Sequence, residues 1–243
     1  MNENELSPQP QPEPQYVERA GETLGHYTAQ AFLWMALGLM VTFGVSILAY
    51  VTLLPVYLLV YTGTTGLIVL TIVELIVVIV LSAKLQSMPI GAARALFLVY
   101  AILNGVVFST YFLVFEALSL VLAFAAAGVY FGAMALVGYF SKIDFSRIRN
   151  ILFGGLIFLV VFNLLAMFIP ALSMFDRIAC MIGIVIFMLY TAYDTQKIKA
   201  FYYGFQGDDA MLAKASIISA LNLYLDFVNL FLYLLRFLGK KKN

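Results

Sequence analysis

Charge is what this 243-residue chain has least of. Asp, Glu, Lys and Arg make up 11% of it, hydrophobic residues 63%, and mean hydropathy is +0.98. A soluble domain carries about a quarter charged residues, and one globular core cannot hide this much apolar surface behind so few charges. The chain is therefore solvated mostly by lipid. A single cysteine, Cys180, excludes a disulfide, and a single histidine, His26, excludes zinc clusters and histidine relays. A net charge of +1 supplies no field for polyanions, which argues against nucleic acid as a partner.

The opening stretch, residues 1–22, holds four prolines and no apolar run. Such a composition cannot repay the entropy of folding, so it predicts a disordered tail. It also lacks the basic start and apolar core of a signal peptide, which leaves the first helix as its own insertion signal.

Seven apolar blocks follow, near 28–52, 56–83, 90–115, 118–140, 150–171, 176–197 and 214–238. Each has the roughly 20 residues that a helical crossing needs. Pro55, Pro89, Pro170 and the charged run SKIDFSRIRN mark breaks. The first break is the softest, because TLLPVYLLVYTGTTG either continues one helix or starts the next. None of the blocks shows the polar–apolar alternation of a barrel strand. The expectation is an all-α polytopic membrane protein with seven transmembrane helices.

Lys and Arg collect on the cytoplasmic side of membrane proteins. With the N-terminus inside, the inner segments carry nine of them: Arg19, Lys84, Arg94, Lys142, Arg147, Arg149, Lys197, Lys199 and Lys214. The outer loops carry only Arg177 until the chain's end. Seven crossings then place Arg236 and Lys240–Lys242 outside, against the rule, whereas a re-entrant last block would return them inside. The length of that block, about 36 Å at 1.5 Å per residue, favours a full crossing.

Most carboxylates lie in the tail or loops, but Glu74, Asp194 and Asp226 fall within apolar blocks. A charge at the bilayer centre costs at least ~2.5–3.5 kcal/mol, so such residues are functional candidates by default. Asp226 is twelve residues from Lys214 and ten from Arg236, hence near mid-membrane. Asn222, Asp226 and Asn229 share one helical face through their i, i+4, i+7 spacing. A stripe of this kind cannot face lipid, which puts the last helix in the middle of the bundle. Two asparagines would suffice for a structural seam; the carboxylate adds a titratable charge. Asp194 lies about one turn inside the interface, where it either pairs with Lys197 or Lys199 or meets Asp226 across the helix pair. Two carboxyls in a low-dielectric site share a proton and titrate together. Straight helices starting at Lys214 would leave Asp226 about 10 Å deeper than Asp194. Their pairing therefore requires a deeper sixth helix or a seventh that begins nearer Ile217. Glu74, ten residues before Lys84, either sits neutral and hydrogen-bonded or lines an ion path. The Gly128–Gly132 spacing reads as close helix packing.

The segments YDTQKIK (193–199) and LNLYLDFVNLFLYLLRFLG (221–239) resemble the C-terminal hallmark of the Bax inhibitor-1 family, and LNGVVFS (103–109) is similar to its third-helix pattern. The resemblance, which is to a bacterial-type member, implies six helices around a central C-terminal one and placement in the plasma (inner) membrane. It further implies a pH-sensitive calcium leak gated by a di-aspartyl pair. Asp194 and Asp226 match the pair, Glu74 the second-helix acid, and Lys84 stands nearest to the basic latch of a bacterial relative.

The leading expectation is a passive calcium leak with no enzymatic activity and no cofactor, calcium being the transported ion and the lipid bilayer the medium. Its ion path would comprise Glu74, Asn222 and Asn229, and its pH sensor Asp194 and Asp226. A second class is a non-transporting scaffold that modulates a membrane protease or a cell-death or stress pathway through membrane-protein partners. An intramembrane aspartyl protease also uses two membrane aspartates and fits YD at 193–194. Its GxGD half is missing, because LYL precedes Asp226.

Overall fold

The computed structural model describes residues 23–84 and 87–242. The expected N-terminal tail, residues 1–22, lies outside them. Seven long helices carry the chain: α1 (Leu24–Val51), α2 (Leu54–Lys84), α3 (Ile90–Ser109), α4 (Ala117–Phe140), α5 (Arg149–Phe168), α6 (Asp176–Gly204) and α7 (Asp209–Leu238). A single helical turn, Tyr111–Val114, follows α3, and 3-10 turns occupy Phe145–Ile148 and Pro170–Phe175. Among the described residues the one β-bridge joins Phe115 to Lys241. Six helical spans are unbroken and apolar enough to cross a membrane, and α2 makes a seventh if its two arms count as one span.

Local chemistry sets the ends. The Thr23 side chain accepts the His26 backbone N–H and starts α1, and the Asp208 side chain accepts that of Met211 at 2.9 Å and starts α7. Pro89 and Pro170 stand at their expected breaks. Pro55 does not: α1 ends at Thr52 and Leu53, and Pro55 falls inside the first turn of α2, where its missing N–H is harmless. The ambiguous TLLPVYLLVYTGTTG stretch contains a second break as well. Gly63 takes φ 61° and ψ −155°, a conformation open essentially only to glycine, and the two arms of α2 meet there at 107°.

Two boundaries differ from the hydropathy blocks. The sixth helix runs to Gly204 rather than 197, and the seventh starts at Asp209 rather than 214. Hydropathy marks the lipid-immersed stretch, whereas a helix ends where its backbone bonding ends. Here that is the turn at Gly207 (φ 96°) and the Asp208 cap.

The C-terminal helix is the inner one. In its most apolar window 72% of α7 is buried, against 11–39% in the other unbroken spans. It packs on α6, α1, α4 and α3, while α2 leans mainly on α3 and α5 mainly on α6. A polar knot fastens it at mid-height. Thr42 of α1 donates to the Ala101 carbonyl of α3 at 3.0 Å, so the Tyr224 hydroxyl, 2.6 Å away, is the donor to Thr42.

The charges that contradicted the orientation rule are absorbed at the far end of the bundle, opposite Thr23. Arg236 pairs with Asp176 and donates to Asn163 Oδ1 at 2.9 Å. Lys240 pairs with Glu116 at 3.0 Å, and Lys242 donates to the Phe112 carbonyl at 2.8 Å. The chain after α7 is strapped to the α3–α4 corner, where Glu116 N–H donates to the Lys240 carbonyl and Lys242 N–H to that of Val114. The last helix therefore runs the length of the bundle and does not turn back.

Candidate functional site: a polar seam between the sixth and seventh helices

Helices α6 and α7 are antiparallel neighbours joined by a short turn, so their polar residues meet face to face. Asp194 on α6 is 8% exposed and Asp226 on α7 is 4% exposed. Asn222 Nδ2 donates to Asp194 Oδ1 at 3.2 Å, and Lys197 Nζ stands 3.7 Å from the same oxygen. Asp226 lies one turn beyond Asn222 on the same face. Its Oδ2 is buried and has no hydrogen-bond partner among the described residues. The charges acting on Asp226 are those of Asp194 and Lys197.

Of the two adjustments that the pairing requires, the structure has the first: the sixth helix runs on to Gly204, which sets Asp194 deeper, ten residues inside its end. The seventh helix begins earlier than Lys214, not later. Asn222, one turn before Asp226 on α7, holds Asp194 with its amide. The seam is a ladder of Asp194, Asn222 and Asp226 rather than a bare pair.

The other expected site residues sit elsewhere. Asn229, nearly two turns beyond Asn222 on the same stripe, spends its amide on the Leu225 carbonyl of its own helix at 2.8 Å. Glu74 is on α2 with a buried Oε1 that has no partner among the described residues, and its field reaches Tyr100, Tyr111 and Tyr224 rather than the aspartates. No three acidic, histidine or cysteine groups gather in one cluster among the described residues. Lys84 is exposed at the end of α2, and the cation that touches the seam is Lys197. The reason is spacing: Lys197 is one turn from Asp194 on α6, where an i, i+3 contact needs no tertiary fit.

Sequence reasoning missed what the rest of YDTQKIK does. Gln196 Oε1 accepts the Phe145 N–H at 2.9 Å, and its Nε2 donates to the Ile143 carbonyl at 2.8 Å. Lys199 donates to the Tyr139 carbonyl and lies over the Tyr139 ring. One stretch of α6 thus holds the seam on one side and clamps the α4–α5 loop on the other. The i, i+3 placement of Gln196 and Lys199 was the available signal, but it named no partner. Replacing Gln196 with Ala should cost about 1–3 kcal/mol, because it strands the N–H of buried Phe145. Hydrogen exchange of residues 141–148 should then rise while that of α7 stays slow.

The same loop carries Asp144, outside the membrane-spanning segments. Hydrogen bonds from Ser146 N–H (3.0 Å) and Oγ (2.6 Å), with Arg147 at 3.5 Å, hold its carboxyl below the usual range. A depressed carboxylate stabilises the fold above its unfolded value near 4 and loses that contribution as acid takes pH down through the folded value. Asp144 therefore gives the loop no response near neutrality.

Residues 24–243 match the family model described as inhibitor of apoptosis-promoting Bax1. The chain is 40% identical over 225 residues to inner membrane protein YbhL of Escherichia coli strain K12, covering 92% of this chain and 94% of that protein. It is 36% identical over 222 residues to an uncharacterized protein of Rickettsia prowazekii, covering 91% and 92%. To one of Deinococcus radiodurans it is 36% identical over 210 residues, covering 86% and 88%. With a family-model match that spans all seven helices and relatives at 36–40% identity over 86–94% of each chain, this chain belongs to the Bax inhibitor-1 family.

Proposed function

We propose that this chain is a passive, pH-sensitive calcium leak of the plasma (inner) membrane, gated by Asp194 and Asp226, with its N-terminus in the cytoplasm. One observation carries the reading. Asp226 is a carboxyl in the middle of the most buried unbroken span, and one of its oxygens meets no donor among the described residues. Packing alone does not call for it, since asparagines would seal the same seam without a charge to desolvate. Buried acids in membrane bundles mark ion and proton pathways. The inner-membrane relative in E. coli supports the location. The Lys and Arg excess at the Thr23 end supports the orientation.

The gating follows from charge. Two carboxyls in a low-dielectric seam share a proton, so the pair holds Lys197 tightly when charged and weakly when neutral. The same change in charge weakens the bond that Asn222 of α7 makes to Asp194 of α6, which loosens α6 against α7, the helix that fills the centre of the bundle. Calcium takes several oxygen ligands. The Asn222–Asp226–Asn229 face of α7 and Glu74 on α2 supply them singly, which suits an ion that must bind weakly to pass.

The test uses purified protein in liposomes loaded with a calcium dye. Flux should exceed that of protein-free liposomes and change between about pH 5 and 8, the range over which coupled buried carboxyls titrate. Flux equal to protein-free liposomes across that range rejects the reading and leaves the scaffold role standing.

A further inference from the structure

At the Thr23 end, α1, α4 and α6 part around a cavity of about 500 Å³, within the size range of lipid and drug-sized ligand sites. Its deeper wall is apolar, built from Phe32, Gly132, Ala135 and Leu136. A Cβ added at Gly132 would meet nothing within 4 Å. Two buried threonines flank this wall. Thr28 of α1 and Thr195 of α6 are 8% and 1% exposed, and neither Oγ1 has a hydrogen-bond partner among the described residues. Threonines in helices usually spend the hydroxyl on the carbonyl one turn back, as Thr191 does on Phe187 at 2.8 Å. Two buried orphans beside one cavity leave two donors for an acceptor that enters it.

The rim beyond them is cationic. Lys199, one turn past Thr195, lies 4.2 Å from the centre of the Tyr139 ring, which lines the cavity. Lys142 is exposed two residues past Phe140, another lining residue. From the bundle centre outward the order is apolar wall, hydroxyls, ammonium groups. A phospholipid presents the complementary order of acyl chain, ester carbonyl and phosphate. The cavity also sits where α1 begins and α4 ends, at one end of two membrane-length helices.

We propose that this cavity is a phospholipid site. One acyl chain fills it, the ester carbonyl accepts from Thr28 and Thr195, and the phosphate faces Lys199 and Lys142. The site does not depend on ion conduction, and its test has no flux readout.

The experiment reconstitutes the full chain with a phosphatidylethanolamine bearing a diazirine in one acyl chain, followed by photolysis and peptide mass spectrometry. Adducts should concentrate on residues 25–32 and 132–140. Labelling there should fall about tenfold in Thr28→Val/Thr195→Val, the change that goes with two lost hydrogen bonds. It should fall similarly in Gly132→Leu, which adds a side chain to the cavity wall at a position where a Cβ meets nothing within 4 Å. Both variants are checked for helicity and elution volume, so that either one that folds decides the matter. Adducts spread evenly over the lipid-facing helices, or wild-type labelling in a folded variant, overturns the proposal. So does labelling by a diazirine fatty acid where the phospholipid probe gives none.

Discussion

Replacing Asp226 with Asn should abolish the pH dependence of calcium flux, and replacing Asp194 with Asn should do the same. Asparagine keeps the shape of the seam but removes the proton that the two carboxyls share. Because the two act as a unit, the double variant should be little worse than either single one, a non-additivity that independent sites do not show. The groups facing Asp226 are Asp194 and Lys197 from α6 and Asn222 from its own helix, and the fields of both carboxyls also reach Tyr190. Glu74 acts on a different set of residues, so Glu74→Gln should change the size of the flux and leave its pH midpoint nearly unmoved. Asp144→Asn should leave the midpoint in place, because Asp144 titrates in acid. Flux against pH in calcium-loaded liposomes measures all of these. A wild-type pH profile in Asp194→Asn beside a flat one in Asp226→Asn would mean that Asp226 works alone.

The seam was legible because its signals are local. Asn222, Asp226 and Asn229 recur at helical spacing inside an apolar run, and a polar stripe in lipid has nowhere to go but inward. That reasoning put α7 at the centre before any contact was known, and α7 is the most buried helix. What stayed hidden was relational. Nothing in the spacing of Asn222 says that its amide reaches Asp194 across the interface, or that Asn229 spends its own on the preceding turn. The resemblance put Lys84 nearest to the basic latch, yet the cation at the seam is Lys197, three residues from Asp194 on the same helix and one of the two partners that spacing offered it. The C-terminal cations looked like a topological conflict because a charge count cannot see Asp176, Glu116 and the Phe112 carbonyl receiving them. Hydropathy likewise undercounted α6 and α7, whose inner ends leave the apolar run but keep their helical bonding.

Glycine usage in α4 shows the same limit and leads to the second large effect. The Gly128–Gly132 spacing suggested a tight helix contact, but a Cβ at either position would meet nothing within 4 Å. The close approach is six residues further on, at Gly138, where an added Cβ would collide with the backbone of Ala192, including its Cα at 2.8 Å. Backbone cannot rotate aside as a side chain can, so Gly138→Ala has to push α4 and α6 apart. Overpacking of this kind costs about 1–3 kcal/mol, and for a chain of this size that corresponds to a fall in melting temperature of about 2–12 °C. Gly128→Ala, in the same helix but in open space, gains helix propensity instead, by up to about 1 kcal/mol, and should melt at or above the wild type. The displacement also reaches the seam. Ala192 is two residues before Asp194, so moving α6 outward stretches the 3.2 Å bond from Asn222 and weakens the coupling between the carboxyls. Gly138→Ala should therefore shift the pH midpoint of flux as well as the melting temperature, whereas Gly128→Ala should shift neither downward. Equal melting temperatures for the two variants would show that α4 and α6 are not held backbone to backbone at Ala192, and that the seam draws its geometry from α7 alone.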